Sequence, residues 1–498
     1  MSILEPLPGT AAPQAGGPVR RDDLPGTGTY AVLASDWLLR GYSDRPAVLY
    51  NWRSGEVHNL SRTGAHVACS CDGATDFTAP YFLPEHAATL ALMLERGMAV
   101  SCTPGTALDE RQRLRTAPNR YLRFIHWAVT GRCNLSCRHC YIDAPTARYG
   151  ELPSETAFRI VDEMECANVQ RVHLSGGEPL LRDDIWEIVA ALAERRIGVD
   201  QISTNGLLLD DDALARLREL DVDPTLRFSY DGVGSHDSMR GGPAEAATVA
   251  AMRRAVAAGR RIAVTSSADA TSASGIAASL ELLVGIGVHS WHVSAPVPHG
   301  RWVGSTTALS LAVQAELSED ILRRWLALGR PFPISLFGMY DGASGVSGPA
   351  RKPPRRCTPE DLHCGEPLTE AVWLMPDARL VPCTRVVDTP LRDAMPSLLD
   401  AGLSEAWQDP ALCELAGVTK AEMLARTPEC ADCDDFGECG GGCWASALAR
   451  SGDVFGRDLA ACKLGRSGER IRLAIIAGDI PALEVAGPRE EAACPSTI

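Results

Sequence analysis

The stretch Thr130-Gly-Arg-Cys133-Asn-Leu-Ser-Cys137-Arg-His-Cys140-Tyr141 decides the fold of this 498-residue chain. It follows directly on Phe124–Thr130, an apolar run that predicts a buried β-strand. Three cysteines in a CxxxCxxC spacing on one short loop can bind three irons of a [4Fe–4S] cluster and leave the fourth iron open to another ligand. The alternative is a zinc knuckle, which needs a fourth ligand and usually CxxC pairs. His139 would have to supply that ligand from a cramped position between two cysteines.

Residues 120–338 around this loop alternate between predicted strands and helices. Six strands followed by helices predict an α/β fold in which a parallel sheet closes partly into a barrel. In such barrels the chemistry lies at the carboxyl ends of the strands. The predicted strands are Phe124–Thr130, Arg171–Leu174, Val199–Ser203, Thr225–Tyr230, Ile262–Ser266 and Trp291–Ala295. The predicted helices are Ser154–Asn168, Asp184–Arg196, Asp211–Leu220, Ala244–Ala258, Ile276–Gly287 and Leu309–Leu328.

Three further motifs lie at the predicted ends of strands. They are Ser175-Gly176-Gly177-Glu178-Pro179, Ser203-Thr204-Asn205-Gly206, and Phe228-Ser229-Tyr230-Asp231-Gly232 with His236-Asp237 and Arg240-Gly241 after it. Glycines allow a close approach of the backbone to a ligand, and Glu178 can accept hydrogen bonds from an ammonium group. Taken singly, these residues are ordinary turn or surface residues. Their order and their placement at strand ends favour a shared ligand site.

With these motifs the chain resembles the radical S-adenosylmethionine (SAM) superfamily from about residue 120 onward. The resemblance implies a partial (β/α)6 TIM-like barrel in which the open iron of the Cys133, Cys137 and Cys140 cluster binds the amine and carboxylate of SAM. Reductive cleavage of SAM then yields a 5′-deoxyadenosyl radical. His139 stands at the family's usual aromatic position beside the adenine. The other SAM contacts that the resemblance implies are Gly176, Gly177, Glu178, Thr204, Asn205, Ser229 and Arg240.

A second group of cysteines lies near the carboxyl end. Cys430, Cys433, Cys439 and Cys443 follow in a CxxCx5Cx3C pattern, with Cys462 after them and Cys357, Cys364 and Cys383 before them. The pattern resembles the SPASM domain, which holds two auxiliary [4Fe–4S] clusters in peptide-modifying members. The family arrangement implies Cys357, Cys364, Cys383 and Cys443 for one cluster and Cys430, Cys433, Cys439 and Cys462 for the other. Zinc is the alternative for CxxC-like pairs.

Ala378 departs from that family's pattern, because the family has a glycine five residues before the cysteine that matches Cys383. A glycine there allows a turn, so the change affects the expected loop shape more than metal binding. The six remaining cysteines fit no pattern, and we interpret them as buried apolar side chains or idle thiols. They are Cys69, Cys71, Cys102, Cys166, Cys413 and Cys494.

The amino-terminal part predicts a two-stranded ribbon, with strands at 45–52 and 55–61 joined by Arg53-Ser-Gly, and helices Thr63–Cys71 and Glu85–Glu95. This arrangement resembles the winged-helix recognition element that binds leader peptides of ribosomally made, modified peptides. There the peptide adds as a strand to a sheet edge. The expected edge is Ala47–Tyr50 or Glu56–Leu60. A structural cap without peptide binding is the alternative.

Composition narrows the function classes. The net charge of −15 argues against a nucleic-acid partner, since phosphate binding needs a basic surface. No run of about 18 apolar residues predicts a membrane span. The first 18 residues lack a secretory pattern, so a cytoplasmic enzyme is expected. The expected divisions are a disordered segment 1–29, a recognition domain 30–102, a linker 103–119, the barrel 120–338, a linker 339–356, the SPASM domain 357–480 and a tail 481–498.

The function implied by the two resemblances is a radical SAM oxidoreductase that modifies, and most simply crosslinks, a ribosomally synthesised precursor peptide. Its cofactors are expected to be three [4Fe–4S] clusters and SAM, with an external electron donor of the flavodoxin or ferredoxin type. One alternative is a sulfatase maturase that makes formylglycine; such relatives have an acidic base directly after the cysteine that matches Cys383, where this chain has Thr384. The other is a non-enzyme, an iron–sulfur protein that binds peptides or transfers electrons. No catalytic base is identified by the sequence.

Overall fold

The computed structural model describes residues 4–5, 28–342, 358, 360–364 and 370–479. Cys357, Cys494, the predicted tail 481–498 and most of the predicted segments 1–29 and 339–356 lie outside these residues. In the part of the chain that is described, no helix is long and apolar enough to cross a membrane.

The amino-terminal part folds around a small mixed sheet with its own core. Its strands are β1 (Leu4–Glu5), β2 (Ala31–Leu33), β3 (Trp37–Gly41), β4 (Val48–Asn51), β5 (Val57–Leu60), β6 (Ala99–Ser101) and β7 (Arg115–Thr116). Five of them form a sheet in the order β1-β5-β4-β3-β7, and β2 pairs with β6. Helices Arg62–Ser70 and Pro84–Glu95 cover it. The first begins at Ser61, whose side chain accepts a hydrogen bond from the Gly64 N–H, and the second has Pro84 in its first turn.

The register of this sheet corrects one expectation. Strand β4 lies between β3 and β5, so Ala47–Tyr50 is not an edge. Strand β5 is the outer strand of the ribbon, and β1 pairs with it in antiparallel fashion, Leu4 opposite Leu60 and Glu5 opposite Asn59. The outer strands of this sheet are therefore β1 and β7, and Val57–Leu60 is not a free edge either, because β1 lies beside it.

The central sheet has ten strands. They are β8 (Phe124–Thr130), β9 (Arg171–Gly176), β10 (Gly198–Thr204), β11 (Thr225–Ser229), β12 (Ile262–Ser267), β13 (Ser290–Ser294), β14 (Ile334–Leu336), β15 (Tyr340–Gly342), β16 (Ala371–Leu374) and β17 (Leu380–Val381). Their order is β15-β14-β13-β12-β11-β10-β9-β8-β16-β17. The strands from β14 across to β16 are parallel, and an antiparallel strand closes each edge. The prediction of an α/β protein built on a parallel sheet is confirmed.

Alternation along each strand explains why the sheet is covered on one face. Ile125, Trp127 and Val129 of β8 are buried in the large core, while His126 of the same strand faces the other side, beside His173 of β9. The covering helices are Ser154–Cys166, Ile185–Glu194, Asp211–Glu219, His236–Arg240, Glu245–Ala257, Ala273–Ala277, Ser279–Ile286 and Leu311–Ala327.

The carboxyl-terminal part continues the central sheet instead of starting a separate one. Strand β16 pairs in parallel with β8, so the sheet extends across both predicted boundaries, 338 and 357. Trp407, Trp444 and Leu473 belong to the same continuous core as the barrel. The helices of this part are Leu391–Ala394, Leu403–Ala406, Pro410–Gly417, Lys420–Arg426, Pro428–Ala431, Phe436–Cys439, Trp444–Ser451, Leu459–Arg466 and Glu469–Ala477.

Ala378 lies in the tight turn between β16 and β17 with φ +68°, the left-handed region that favours glycine. Its N–H donates to the Met375 carbonyl at 3.0 Å, which closes the turn. The chain therefore forms the turn in spite of the missing glycine, at a conformational cost of about 1–2 kcal/mol.

Candidate functional site

The loop with Cys133, Cys137 and Cys140 leaves the carboxyl end of β8 and is held by backbone hydrogen bonds. The Ser136 N–H donates to the Arg240 carbonyl at 3.1 Å, and the Arg138 N–H donates to the Met239 carbonyl at 2.9 Å. These bonds fasten the loop to the short helix His236–Arg240 after β11. Two distant strand ends are thereby joined at the cysteines.

The three thiols are free and half-buried. The Leu135 N–H lies 3.5 Å from the Cys133 sulfur, and the Ala144 N–H lies 3.3 Å from the Cys140 sulfur. Burial raises the pKa of Cys133 to about 11, so the unliganded thiol is kept neutral. Binding of a cation or an iron–sulfur cluster would favour the thiolate form of Cys133.

Gly176 and Gly177 bring the next loop close to the cysteines. A Cβ at Gly177 would overlap the Arg132 carbonyl oxygen and lie 3.1 Å from the Cys133 Cβ. Gly176 has φ +138°, and a Cβ there would overlap the Thr130 carbonyl oxygen. The backbone approach that the sequence predicted from this motif therefore excludes any side chain at both positions.

Glu178 ties two strand ends together. Its carboxylate accepts hydrogen bonds from the Asn205 N–H at 2.7 Å, the Thr204 hydroxyl at 2.9 Å and the Leu180 N–H at 3.2 Å. The side chain is fully buried, and burial raises its pKa to about 7 although these hydrogen bonds act in the opposite direction. Asn205 in turn donates from Nδ2 to Asn134 Oδ1 at 2.7 Å, on the cysteine loop.

Arg240 lies between Asp231 and Cys137. Its Nε is 2.6 Å from Asp231 Oδ2, and its Nη1 is 3.7 Å from the Cys137 sulfur. Burial alone would raise the pKa of Asp231, but the Arg240 guanidinium and the Ser267 N–H bring it below its ordinary value. A buried ion pair therefore places one positive charge beside a cysteine of the loop.

Asp231 is the residue of this site that sequence reasoning missed. It belongs to the motif that follows β11, but only the fold brings it into contact with Arg240. Its Oδ2 lies 3.6 Å from His139 Nε2. Burial lowers the pKa of His139 to about 4, and its Nδ1 has no hydrogen-bond partner within the described residues. Ser229, the remaining predicted contact, is half-buried at the end of β11.

These observations fit a cluster with three cysteine ligands. The three thiols lie on one loop. Two N–H groups and an arginine point to their sulfurs, and a glycine loop packs against them. This arrangement matches the donor set of a [4Fe–4S] cluster. The predicted SAM contacts Gly176, Gly177, Glu178, Thr204 and Asn205 all come together at this edge of the sheet. Arg240 and His139 lie beside Asp231, and Arg240 also contacts Cys137.

The carboxyl-terminal thiols form two groups. Burial raises the pKa of Cys364 and raises that of Cys383 to about 11, and the nearby Cys443 acts on both in the same direction. Burial raises the pKa of Cys430 to about 11, and the nearby thiols of Cys462, Cys439 and Cys433 act in the same direction. The two groups correspond to the two predicted ligand sets, except that Cys357 lies outside the described residues.

Local contacts hold these thiols. Asp458 caps the helix Leu459–Arg466 that carries Cys462, and its Oδ2 accepts from the Cys443 N–H at 3.1 Å. Arg466 Nη2 is 3.5 Å from the Cys433 sulfur. Across the described ranges, no three His, Cys, Asp or Glu side chains converge as one metal ion would require.

Five cysteines without a predicted role lie within the described residues. Cys71 is buried, and burial raises its pKa to about 12. Cys69 and Cys166 are exposed, while Cys102 and Cys413 are half-buried.

Part of the barrel matches a known protein family. Residues 127–268 match the radical SAM superfamily. The mycofactocin maturase MftC of Mycobacterium ulcerans (strain Agy99) is 37% identical over 138 residues, which are 27% of this chain and 37% of that protein. The AdoMet-dependent heme synthase of Methanosarcina barkeri (strain Fusaro / DSM 804) is 32% identical over 188 residues, 36% of this chain and 52% of that protein. The chain thus spans between about a third and a half of the length of these curated relatives.

Solved structures match more of the chain at lower identity. Streptococcus suis SuiB bound to S-adenosylmethionine has a TM-score of 0.59 at 15% identity, covering 87% of this chain and all of that one. Native anSMEcpe with bound AdoMet and the Cp18Cys peptide has a TM-score of 0.52 at 16% identity, covering 72% of this chain and 99% of that one. These likenesses show a shared fold.

Proposed function

We propose that this chain, which carries a radical SAM domain, is a peptide maturase that oxidatively modifies a precursor peptide. One observation supports radical SAM chemistry. The loop with Cys133, Cys137 and Cys140 is joined to three other strand ends by hydrogen bonds and by close packing of glycines. When bound, a [4Fe–4S] cluster with SAM supplies reductive cleavage of SAM and a radical that abstracts hydrogen from carbon.

The residues of the chain have separate tasks in this proposal. Cys133, Cys137 and Cys140 hold the cluster, and Arg240 with Asp231 fixes positive charge beside Cys137. Glu178 and Asn205 bind the methionyl end of SAM, and His139 lies beside the adenine. The two carboxyl-terminal thiol groups hold auxiliary clusters that accept the second electron, and a flavodoxin or ferredoxin supplies the first.

The peptide part of the proposal is supported by the outer side of β5, which pairs with the two-residue strand β1. A peptide strand would take the place of β1 there. Leu60 donates to the Ala47 carbonyl at 3.0 Å, and Asn51 donates to the Glu56 carbonyl at 2.8 Å. Since hydrogen-bonded pairs alternate in antiparallel strands, the N–H groups of Val57 and Asn59 point away from β4, toward the side where β1 lies.

Two relatives agree with a peptide substrate. MftC is named as a maturase. SuiB has been solved bound to its precursor peptide SuiA, and that structure has a TM-score of 0.59 to this chain. The formylglycine alternative is not favoured, because Thr384 follows Cys383 and provides no carboxylate base.

The test is anaerobic co-expression with each short reading frame that flanks the gene. We expect one encoded peptide to lose hydrogen atoms by mass spectrometry, with formation of 5′-deoxyadenosine. Asn59→Pro should weaken binding of that peptide more than Asn59→Ala, because only proline removes the outward N–H. Deoxyadenosine formation without modification of any flanking peptide would contradict the peptide assignment.

A further inference from the structure

A cleft of about 500 Å3 lies at the end of the barrel opposite the cysteine loop. One wall is the turn between β4 and β5, with Trp52, Arg53 and Ser54. The opposite wall is formed by the starts of β9, β10 and β12 and by the end of the helix Asp211–Glu219. The cleft is therefore a junction between the amino-terminal sheet and the base of the barrel.

Hydrogen bonds across the cleft hold the two walls together. Arg53 Nη2 is 2.6 Å from Asp221 Oδ2, and its Nη1 donates to the Asp221 carbonyl at 3.0 Å. Arg171 Nη1 donates to the Trp52 carbonyl at 3.2 Å. Because contacts form from both sides, the walls keep a defined spacing.

The lining has an excess of arginines in an acidic protein. Five arginines line the cleft against two aspartates: Arg53, Arg171, Arg218, Arg260 and Arg261 against Asp221 and Asp223. Both aspartates are already paired, Asp221 with Arg53 and Asp223 with Arg260 at 3.0 Å. Outside the lining, Asp200 pairs with Arg171 at 2.5 Å and Asp36 pairs with Arg53 at 3.2 Å. Local charge of this sign opposes the overall net charge of −15.

Two of the arginines have no acidic partner in the part of the chain that the structure describes. Arg218 and Arg261 are exposed, and neither forms an ion pair there. Arg260, which is 8% exposed, also has Nε and Nη2 without a hydrogen-bond partner among the described residues. The positive charge of the buried Arg260 attracts a carboxylate more strongly than it would in open solvent.

We infer that this cleft binds an acidic segment of the peptide substrate. The inference deepens the proposed function and rests on it. Strand β5 begins at Val57, three residues after Ser54 of the cleft wall, which is about 10 Å of extended chain at roughly 3.3 Å per residue. A peptide strand that takes the place of β1 along β5 therefore reaches the cleft within about three residues of its last pairing residue.

The test uses a fluorescein-labelled hexaglutamate peptide and anisotropy with the full chain at low salt. Hexaglutamine and hexalysine peptides of the same length are controls for charge. We expect only hexaglutamate to bind, with affinity that falls as salt rises. Arg218→Ala with Arg261→Ala should weaken this binding about five- to tenfold. The matched control is Arg111→Ala with Arg253→Ala, which removes two exposed arginines elsewhere and should change affinity less than about twofold.

Equal binding of the three peptides, or unchanged affinity in the Arg218 and Arg261 variant, would overturn the inference. Binding of tripolyphosphate without binding of hexaglutamate would also overturn it and indicate a phosphate site. Deoxyadenosine formation from SAM is measured on the same wild-type preparation. If that activity is present and hexaglutamate does not bind, the cleft inference fails alone; if that activity is absent, the proposed function fails.

Discussion

The two cysteine regions of the chain are built in different ways. In the barrel, three thiols lie within eight residues on one loop, and glycines, N–H groups and a buried arginine surround them. In the carboxyl-terminal part, one thiol group joins segments as distant as Cys364 and Cys443, the other extends from Cys430 to Cys462, and the nearby arginine is more exposed. Side-chain exposure is 11% for Arg240 and 40% for Arg466. The first region is fixed by local packing, whereas the second depends on the long-range fold.

This difference predicts separable losses when cysteines are replaced. Cys430→Ala with Cys433→Ala should remove one four-iron cluster of three, leaving about eight irons per chain from about twelve. Cleavage of SAM without peptide should persist, because the barrel loop is untouched. Iron and sulfide analysis after anaerobic purification measures this. Zinc in place of iron in the carboxyl-terminal part would contradict it.

Gly177→Ala sharpens the comparison within the barrel loop. The added methyl would overlap the Arg132 carbonyl oxygen. Because that atom belongs to the backbone, the overlap is relieved only if the whole loop shifts. We expect loss of the cluster of Cys133, Cys137 and Cys140 and destabilisation of about 3 kcal/mol or more. Gly285→Ala is the control, since a Cβ there has nothing within 4 Å and lies in a helix. Iron content and the denaturant midpoint of both variants test it; an intact cluster in Gly177→Ala would be the contrary result.

The two arginines beside cysteines form a matched pair. Arg240→Ala leaves Asp231 buried without its partner, at a cost of about 3–5 kcal/mol in the free energy of unfolding. Arg466→Ala removes an exposed ion pair with Asp435, worth about 0–1 kcal/mol. Chemical denaturation of the two cluster-free proteins measures both values. Equal effects would mean that burial does not distinguish the two regions.

Ala378→Gly should have the smallest effect. Relief of the left-handed backbone gains about 1–2 kcal/mol, but loss of a buried methyl costs about 0.8 kcal/mol and glycine adds chain entropy. The net change in the free energy of unfolding is expected to stay within about 1 kcal/mol. A larger change by denaturation would show that the turn between β16 and β17 is more strained, or better packed, than its backbone indicates.

The sequence predicted the features that are local. The cysteine loop, the glycine motif and the six strands from Phe124 to Ser294 each follow from spacing or alternation within a short stretch. Strands β14 and β16 were missed because they have three and four residues and carry no alternation long enough to detect. Asp231 and the basic cleft were missed for another reason: their partners are brought together only by the fold.

The most direct test of the central claim is 5′-deoxyadenosine formation from SAM by the anaerobic protein with dithionite. The wild-type chain should form it, and the Cys133→Ala/Cys137→Ala/Cys140→Ala variant should form none. The Cys430→Ala/Cys433→Ala variant should still form it. Absence of the product from the wild-type chain, or its undiminished formation by the triple variant, would contradict the assignment of the barrel loop as the site of radical chemistry.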